Sequence, residues 1–100
     1  MNPPDNENEI ISAVKEGDTG AFRMLVRQHA GQLYELCYRL CGNTADAEDI
    51  SQDVFVRAFK SIRSFDGKSK FSTWLHSMAV NRWIDISRRR KLIRFLVTRN

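Results

Sequence analysis

The sequence predicts an all-α fold, a compact bundle of about four helices. Apolar residues recur at three- and four-residue steps along successive stretches, which is the spacing of amphipathic helices. Glycines and side chains suited to helix caps fall between those stretches. No strand-like alternation, internal repeat or low-complexity segment interrupts the pattern.

Residues 1–9, with the polar start MNPPDNENE, are expected to be a flexible N-terminus. A short first helix follows over about 9–16, with Ile10, Ile11 and Val14 as its apolar stripe and Gly17 ending it. Asp18 suits the N-cap of a long second helix, about 19–41. Its core face is Phe22, Leu25, Val26, His29, Leu33, Leu36, Cys37 and Leu40, with Gly42 as C-cap. Asn43 or Thr44 caps a third helix, about 44–63, lined by Ala47, Ile50, Val54, Ala58 and Ile62 and widened by Phe55 and Phe59. Asp-Gly at residues 66 and 67 marks a turn. A fourth helix starts near Lys70 or Phe71 and reaches about Arg90 or beyond, with Phe71, Leu75, Met78, Ala79 and Ile86 inward. The tail 92–100 reads equally as a helix extension or the start of a linker.

Composition fits one soluble globular domain, with 42% apolar and 28% charged residues in 100. The net charge of +4 conceals an asymmetry: residues 1–56 hold 4 Lys/Arg and 10 Asp/Glu, whereas residues 57–100 hold 12 and 2. Such a division suits a polyanion at the C-terminal half, or simply a dipolar soluble protein. No apolar run is long enough to cross a bilayer, and the N-terminus lacks the character of a signal peptide. A cytoplasmic protein with reduced thiols and no membrane insertion is expected.

Four constellations carry possible chemistry. The first is FDGKSKFSTWLHSMAVNRW, residues 65–83. Its turn feeds a helix start rich in hydroxyls, cations and aromatic rings, a surface suited to single-stranded bases and phosphate. Phe71 and Leu75 also fit plain core positions, and Trp74 fits either role. The second is Arg88-Arg89-Arg90-Lys91, flanked by Arg82 and Arg94; it wraps the helix and suits phosphate contact, or a solvated helix end. The third is the acidic face of Asp49, Gln52 and Asp53, a docking face or a solvated one. The fourth is His29, Cys37 and Cys41; a zinc site there would need His76 to approach from the fourth helix, and both cysteines are read as core positions. No nucleophile–base arrangement is seen, so no enzyme activity, metal or cofactor is expected.

The chain resembles region 2 of sigma factors, most closely the extracytoplasmic-function (ECF) group. AFRMLVRQHAGQLYELCYRLCG, ADAEDISQDVFVRAFKSI and FDGKSKFSTWLHSMAVNRWIDISRRRK are similar to its three motifs in order and spacing, over about residues 10–91. The resemblance implies a region 2 fold and an adaptor between RNA polymerase and promoter. Asp49, Gln52 and Asp53, with Phe55 and Arg57, match the stretch that docks on the β′ clamp of the polymerase core. Ser64, Phe65, Asp66, Gly67, Lys68, Ser69 and Lys70 match the loop that captures a flipped base of the non-template −10 strand. Lys70, Phe71, Ser72, Thr73 and Trp74 match the segment that stabilises the opened strand. Asn81, Arg82 and Asp85, then Arg88, Arg89 and Arg90, match the helix that meets the −10 element and upstream phosphates. Ser77 and Met78 stand where housekeeping relatives carry a duplex-wedging tryptophan pair, which implies weaker melting and stricter promoter choice. The resemblance also implies an anti-sigma partner, and a −35-reading region 4 domain that this chain does not include. A generic duplex-DNA-binding helical domain, or an interaction module held by an anti-sigma protein, remain the alternatives.

Overall fold

A computed structural model of the chain describes residues 6–98. Four helices appear: α1 (Glu7–Lys15), α2 (Phe22–Cys41), α3 (Thr44–Ser61) and α4 (Phe71–Thr98). The capping chemistry sets most of the boundaries. Asn6 accepts from the Asn8 backbone N–H at 3.0 Å, so α1 begins two residues before the expected start. Residues 7–9 are therefore helical rather than part of a flexible start. Residues 1–5 of that expected terminus lie outside the described residues.

Thr19–Ala21 form a 3-10 turn capped by Asp18, and α2 proper starts only at Phe22. Gly42 ends α2 with a left-handed φ of +77°, and its N–H donates to the Tyr38 carbonyl at 2.7 Å. Asn43 then accepts from the Asp46 N–H at 2.8 Å and opens α3. α3 tightens into a second 3-10 turn at Ile62–Ser64 instead of remaining α-helical to residue 63.

A single core joins the helices. Ile10, Ile11 and Val14 of α1 meet Phe22, Leu25, Leu33 and Cys37 of α2. Ala47, Ile50, Val54 and Ala58 of α3 and Phe71, Leu75 and Ala79 of α4 complete it. His29, expected on the apolar face of α2, is half-buried, and its Nε2 pairs with the Glu7 carboxylate. Its ring lies 5.3 Å from that of Phe71, so this polar contact joins α1, α2 and the start of α4. Cys37 is buried, and Cys41 donates its thiol to the Cys37 carbonyl at 2.9 Å.

α4 runs unbroken through residue 98, and residues 99–100 lie outside the described residues. At 28 residues it is about 42 Å long. Its first half packs on α2 and α3, whereas Leu92, Ile93, Phe95, Leu96 and Val97 are exposed where it leaves the bundle. The molecule is accordingly elongated, 66 × 24 × 22 Å.

Candidate nucleic-acid interface

The segment between α3 and α4 is built from both ends inward. Ser64 donates its hydroxyl to the Ser61 carbonyl at 2.6 Å, and the Phe65 N–H reaches the Ile62 carbonyl at 3.0 Å. Asp66 accepts from the Lys68 N–H at 3.0 Å, an Asx turn. Gly67 supplies the left-handed φ of +78° that this turn requires. Asp66, Gly67, Lys68, Ser69 and Lys70 are all exposed.

Phe65 is not. It is 5% exposed, and Phe71 is 2% exposed. The two rings meet edge to face with centroids 5.6 Å apart. Trp74 completes the triangle, 4.9 Å from Phe65 and 5.6 Å from Phe71. Neither phenylalanine can offer a face to a base in this conformation. Their contribution here is to anchor the two ends of the loop in the core, the plain core position that helical spacing also allowed for Phe71. Trp74 is half-buried at the edge of the cluster.

Sequence reasoning missed the other wall of this region. The N-cap Asn6 and Glu7 and Asn8 of α1 face Gly67, Lys68 and Ser69 across an open recess of about 380 Å³. Lys15 reaches from the far end of α1 and donates to the Phe65 carbonyl at 2.5 Å. A lysine 50 residues earlier in the chain, on a helix face that looks ordinary, gives no local signal of such a contact.

Farther along α4, the exposed Asn81 and Asp85 and the half-buried Arg82 share a second open groove with Arg57 and Lys60 of α3, about 390 Å³ in volume. This groove unites residues expected to serve different partners. Ser77 is exposed and Met78 half-buried. Arg88, Arg89 and Arg90 are exposed on the stretch that leaves the bundle. Arg90 also lies over the Trp83 ring at 5.9 Å.

On α3, Asp49, Gln52, Asp53 and Val56 line a shallow acidic groove with Arg82 and Ile86 of α4. Phe55 is half-buried against the core and Arg57 is exposed. Asp53 accepts from Arg57 Nε at 2.8 Å and forms an ion pair with Arg82, whose Nε lies 3.1 Å away. Asp46 accepts both ends of the Arg90 fork, at 2.9 and 3.1 Å. The Arg90 guanidinium, followed by the Asn43 amide, holds the Asp46 carboxyl below the usual carboxylate range. Among the described residues, no group of three or more His, Cys, Asp or Glu side chains is placed to hold a metal ion.

The architecture and the placement of these faces can be compared with known proteins. The family model for Sigma-70 region 2 matches residues 25–93. The chain belongs to that family. Within it, the chain is a region 2 domain of the ECF type: it is 48% identical over 81 residues to the ECF RNA polymerase sigma factor SigW of Bacillus subtilis. That match covers 81% of this chain and 43% of SigW. It is 47% identical over 70 residues to the ECF RNA polymerase sigma factor SigE of Mycolicibacterium smegmatis, covering 70% of this chain and 27% of that protein. The chain thus spans less than half the length of these relatives. Among solved structures, an engineered region 2 of sigmaE, determined by NMR in complex with GTAAAA, superposes with a TM-score of 0.79. It is 31% identical, and the match covers 92% of this chain and 98% of that one. The region 2 fold is therefore shared along nearly the whole chain.

Proposed function

We propose that this region 2 domain docks on the β′ clamp of core RNA polymerase and recognises and melts the promoter −10 element by capturing flipped bases of the non-template strand. One observation carries the reading: the exposed run Asp66–Lys70 is fixed to the core at Phe65 and Phe71 and faces an open recess. A loop anchored at both ends and open on one side can hold a single base in a defined orientation with little ordering cost. The likeness to a region 2 seen with GTAAAA supports a single-stranded ligand.

Each remaining element has a role in that reading. Lys68, Ser69 and Lys70, with Ser64, Ser72 and Thr73, supply hydrogen bonds and positive charge to base edge and phosphate. Trp74 borders the captured strand. Asn81, Arg82 and Asp85 meet the −10 element, and Arg88, Arg89 and Arg90 meet upstream phosphates. Asp49, Gln52 and Asp53, with Phe55 and Arg57, form the docking face on α3. The function is adaptor binding in the cytoplasm, without catalysis. The same exposed faces are the surfaces an anti-sigma protein would cover to restrain it.

The experiment is a titration of the chain against single-stranded GTAAAA and a scrambled hexamer at fixed salt. Preference for GTAAAA is expected; equal binding, or a preference for duplex, would overturn base capture. Asn81→Ala should narrow the gap between the two sequences, while Arg89→Ala should weaken both alike and lower the salt slope by about one. Asp53→Arg should abolish capture by core polymerase with the helical fold retained.

A further inference from the structure

The docking face of α3 and the DNA-facing side of α4 are not independent surfaces. Two ion pairs join them across the helix interface. Asp53 holds Arg82 at 3.1 Å, and Asp46 holds Arg90 through both arms of the guanidinium. Among the described residues, no carboxylate lies within 4.0 Å of Arg88, Arg89 or Lys91. Two of the α4 cations are thus held by α3 carboxylates, and the run between and beyond them is left open.

A guanidinium already bound to a carboxylate is a poorer phosphate ligand. Its donors are committed, and the phosphate must approach a neighbouring negative charge. Conversely, a carboxylate bound to an arginine is a poorer ligand for a basic partner. The two competitions are the same competition seen from each side. A cationic surface that takes Asp46 and Asp53 releases Arg90 and Arg82, and a phosphate that takes the arginines frees Asp46 and leaves Asp53 paired with Arg57 alone. By linkage the two binding events must favour one another by the same factor.

We propose that the Asp53–Arg82 and Asp46–Arg90 pairs form an electrostatic latch that weakens promoter binding by the free domain and opens when a basic polymerase surface occupies α3. The latch rests on the adaptor reading above and adds an order to it: docking first, then full phosphate contact. Exposed ion pairs contribute modestly, so each pair should modulate affinity about two- to fivefold. Neither pair is an obligate lock. Their effect is to bias the domain against promoter DNA in the absence of polymerase.

The test is a double-mutant cycle on the full chain, read by fluorescence anisotropy with labelled GTAAAA and by binding to core polymerase. Asp53→Asn should tighten GTAAAA binding about two- to fivefold. Glu35→Gln makes the same charge change at an exposed α2 position that takes part in neither pair, and should tighten binding less. In an Arg82→Gln background the extra gain from Asp53→Asn should vanish. Reciprocally, Arg82→Gln should tighten binding to core polymerase more than Arg27→Gln, another cation removed from α2. The Asp46–Arg90 pair is assayed in the same way with Asp46→Asn and Arg90→Gln, which guards against a single variant that folds poorly. The latch is wrong if Asp53→Asn behaves like Glu35→Gln, or if its gain persists without Arg82. A parent chain that binds GTAAAA while the cycle is additive overturns the latch alone. A parent chain that does not bind GTAAAA above the scrambled hexamer overturns the base-capture reading and the latch with it.

Discussion

The ammonium of Lys15, at the end of α1, donates to the backbone carbonyl of Phe65, the residue that leads into the exposed loop. Nζ also lies 6.0 Å from the centre of the Phe65 ring. The first helix thereby fixes the loop proposed to hold a base, although it presents only its N-terminal residues to the recess.

Lys15→Met should keep the aliphatic packing and remove this hydrogen bond. The expected cost is about 1 kcal/mol of stability. The diagnostic signal is local: amide exchange at residues 66–70 should quicken more than in the α2 core, and GTAAAA binding should weaken. Unchanged exchange in the loop would show that Phe65 and Phe71 hold it without Lys15.

The burial of Phe71 and the edge position of Trp74 predict opposite balances of effect. Phe71→Ala empties a fully enclosed site and should lower stability by about 3–5 kcal/mol. Trp74→Leu keeps apolar volume toward the Phe65 and Phe71 rings, so it should cost less stability and more affinity for single strands. Denaturant melts and hexamer titrations on both variants check this. Loss of binding by a stably folded Phe71→Leu, with Trp74→Leu unaffected, would reverse the assignment.

Gly31 lies inside α2, exposed, with nothing within 4 Å of the position a Cβ would occupy. Its replacement by alanine should stabilise the domain by about 0.5–1 kcal/mol through helix propensity. A rise of several degrees in melting temperature is the expected reading, on the order of 4–8 °C per kcal/mol for a domain of this size. No change, or a fall, would mean that the helix needs the glycine for a reason its surroundings do not reveal.

Burial, with a smaller contribution from Cys41, pushes the Cys37 thiol up to about 11. The folded chain therefore keeps this proton where the unfolded chain has lost it. Stability from this group is intact below about pH 9 and declines as pH rises toward 11, because the unfolded thiolate is favoured over that interval. At pH 8 iodoacetamide should modify Cys41 first and leave Cys37 unmodified until the domain is denatured. Mass spectrometry of the labelled peptide distinguishes the two sites.

The order and number of helices were legible in the sequence, because periodicity and caps are local properties. The apolar steps along α2 and α3 located their buried faces, and Asn43 and Gly42 located the junction between them. Asp66-Gly67 identified the turn. The boundaries that shifted did so at Asn6, at Thr19–Ala21 and at Ile62–Ser64, where capping or 3-10 geometry changes the last turn without altering the apolar pattern.

Motif order and spacing were sufficient to resemble region 2, and the charge division between the two halves was plain from counting. Whether Phe65 faced a base or the core was not, since an aromatic residue beside a turn satisfies both patterns. Only packing against Phe71 and Trp74 decided it. The same holds for the polar contacts between distant residues. Lys15 with Phe65, Glu7 with His29, Asp46 with Arg90 and Asp53 with Arg82 each join different elements. A sequence records which side chains can pair, but the choice of partner is made when the helices pack and bring those charges within reach.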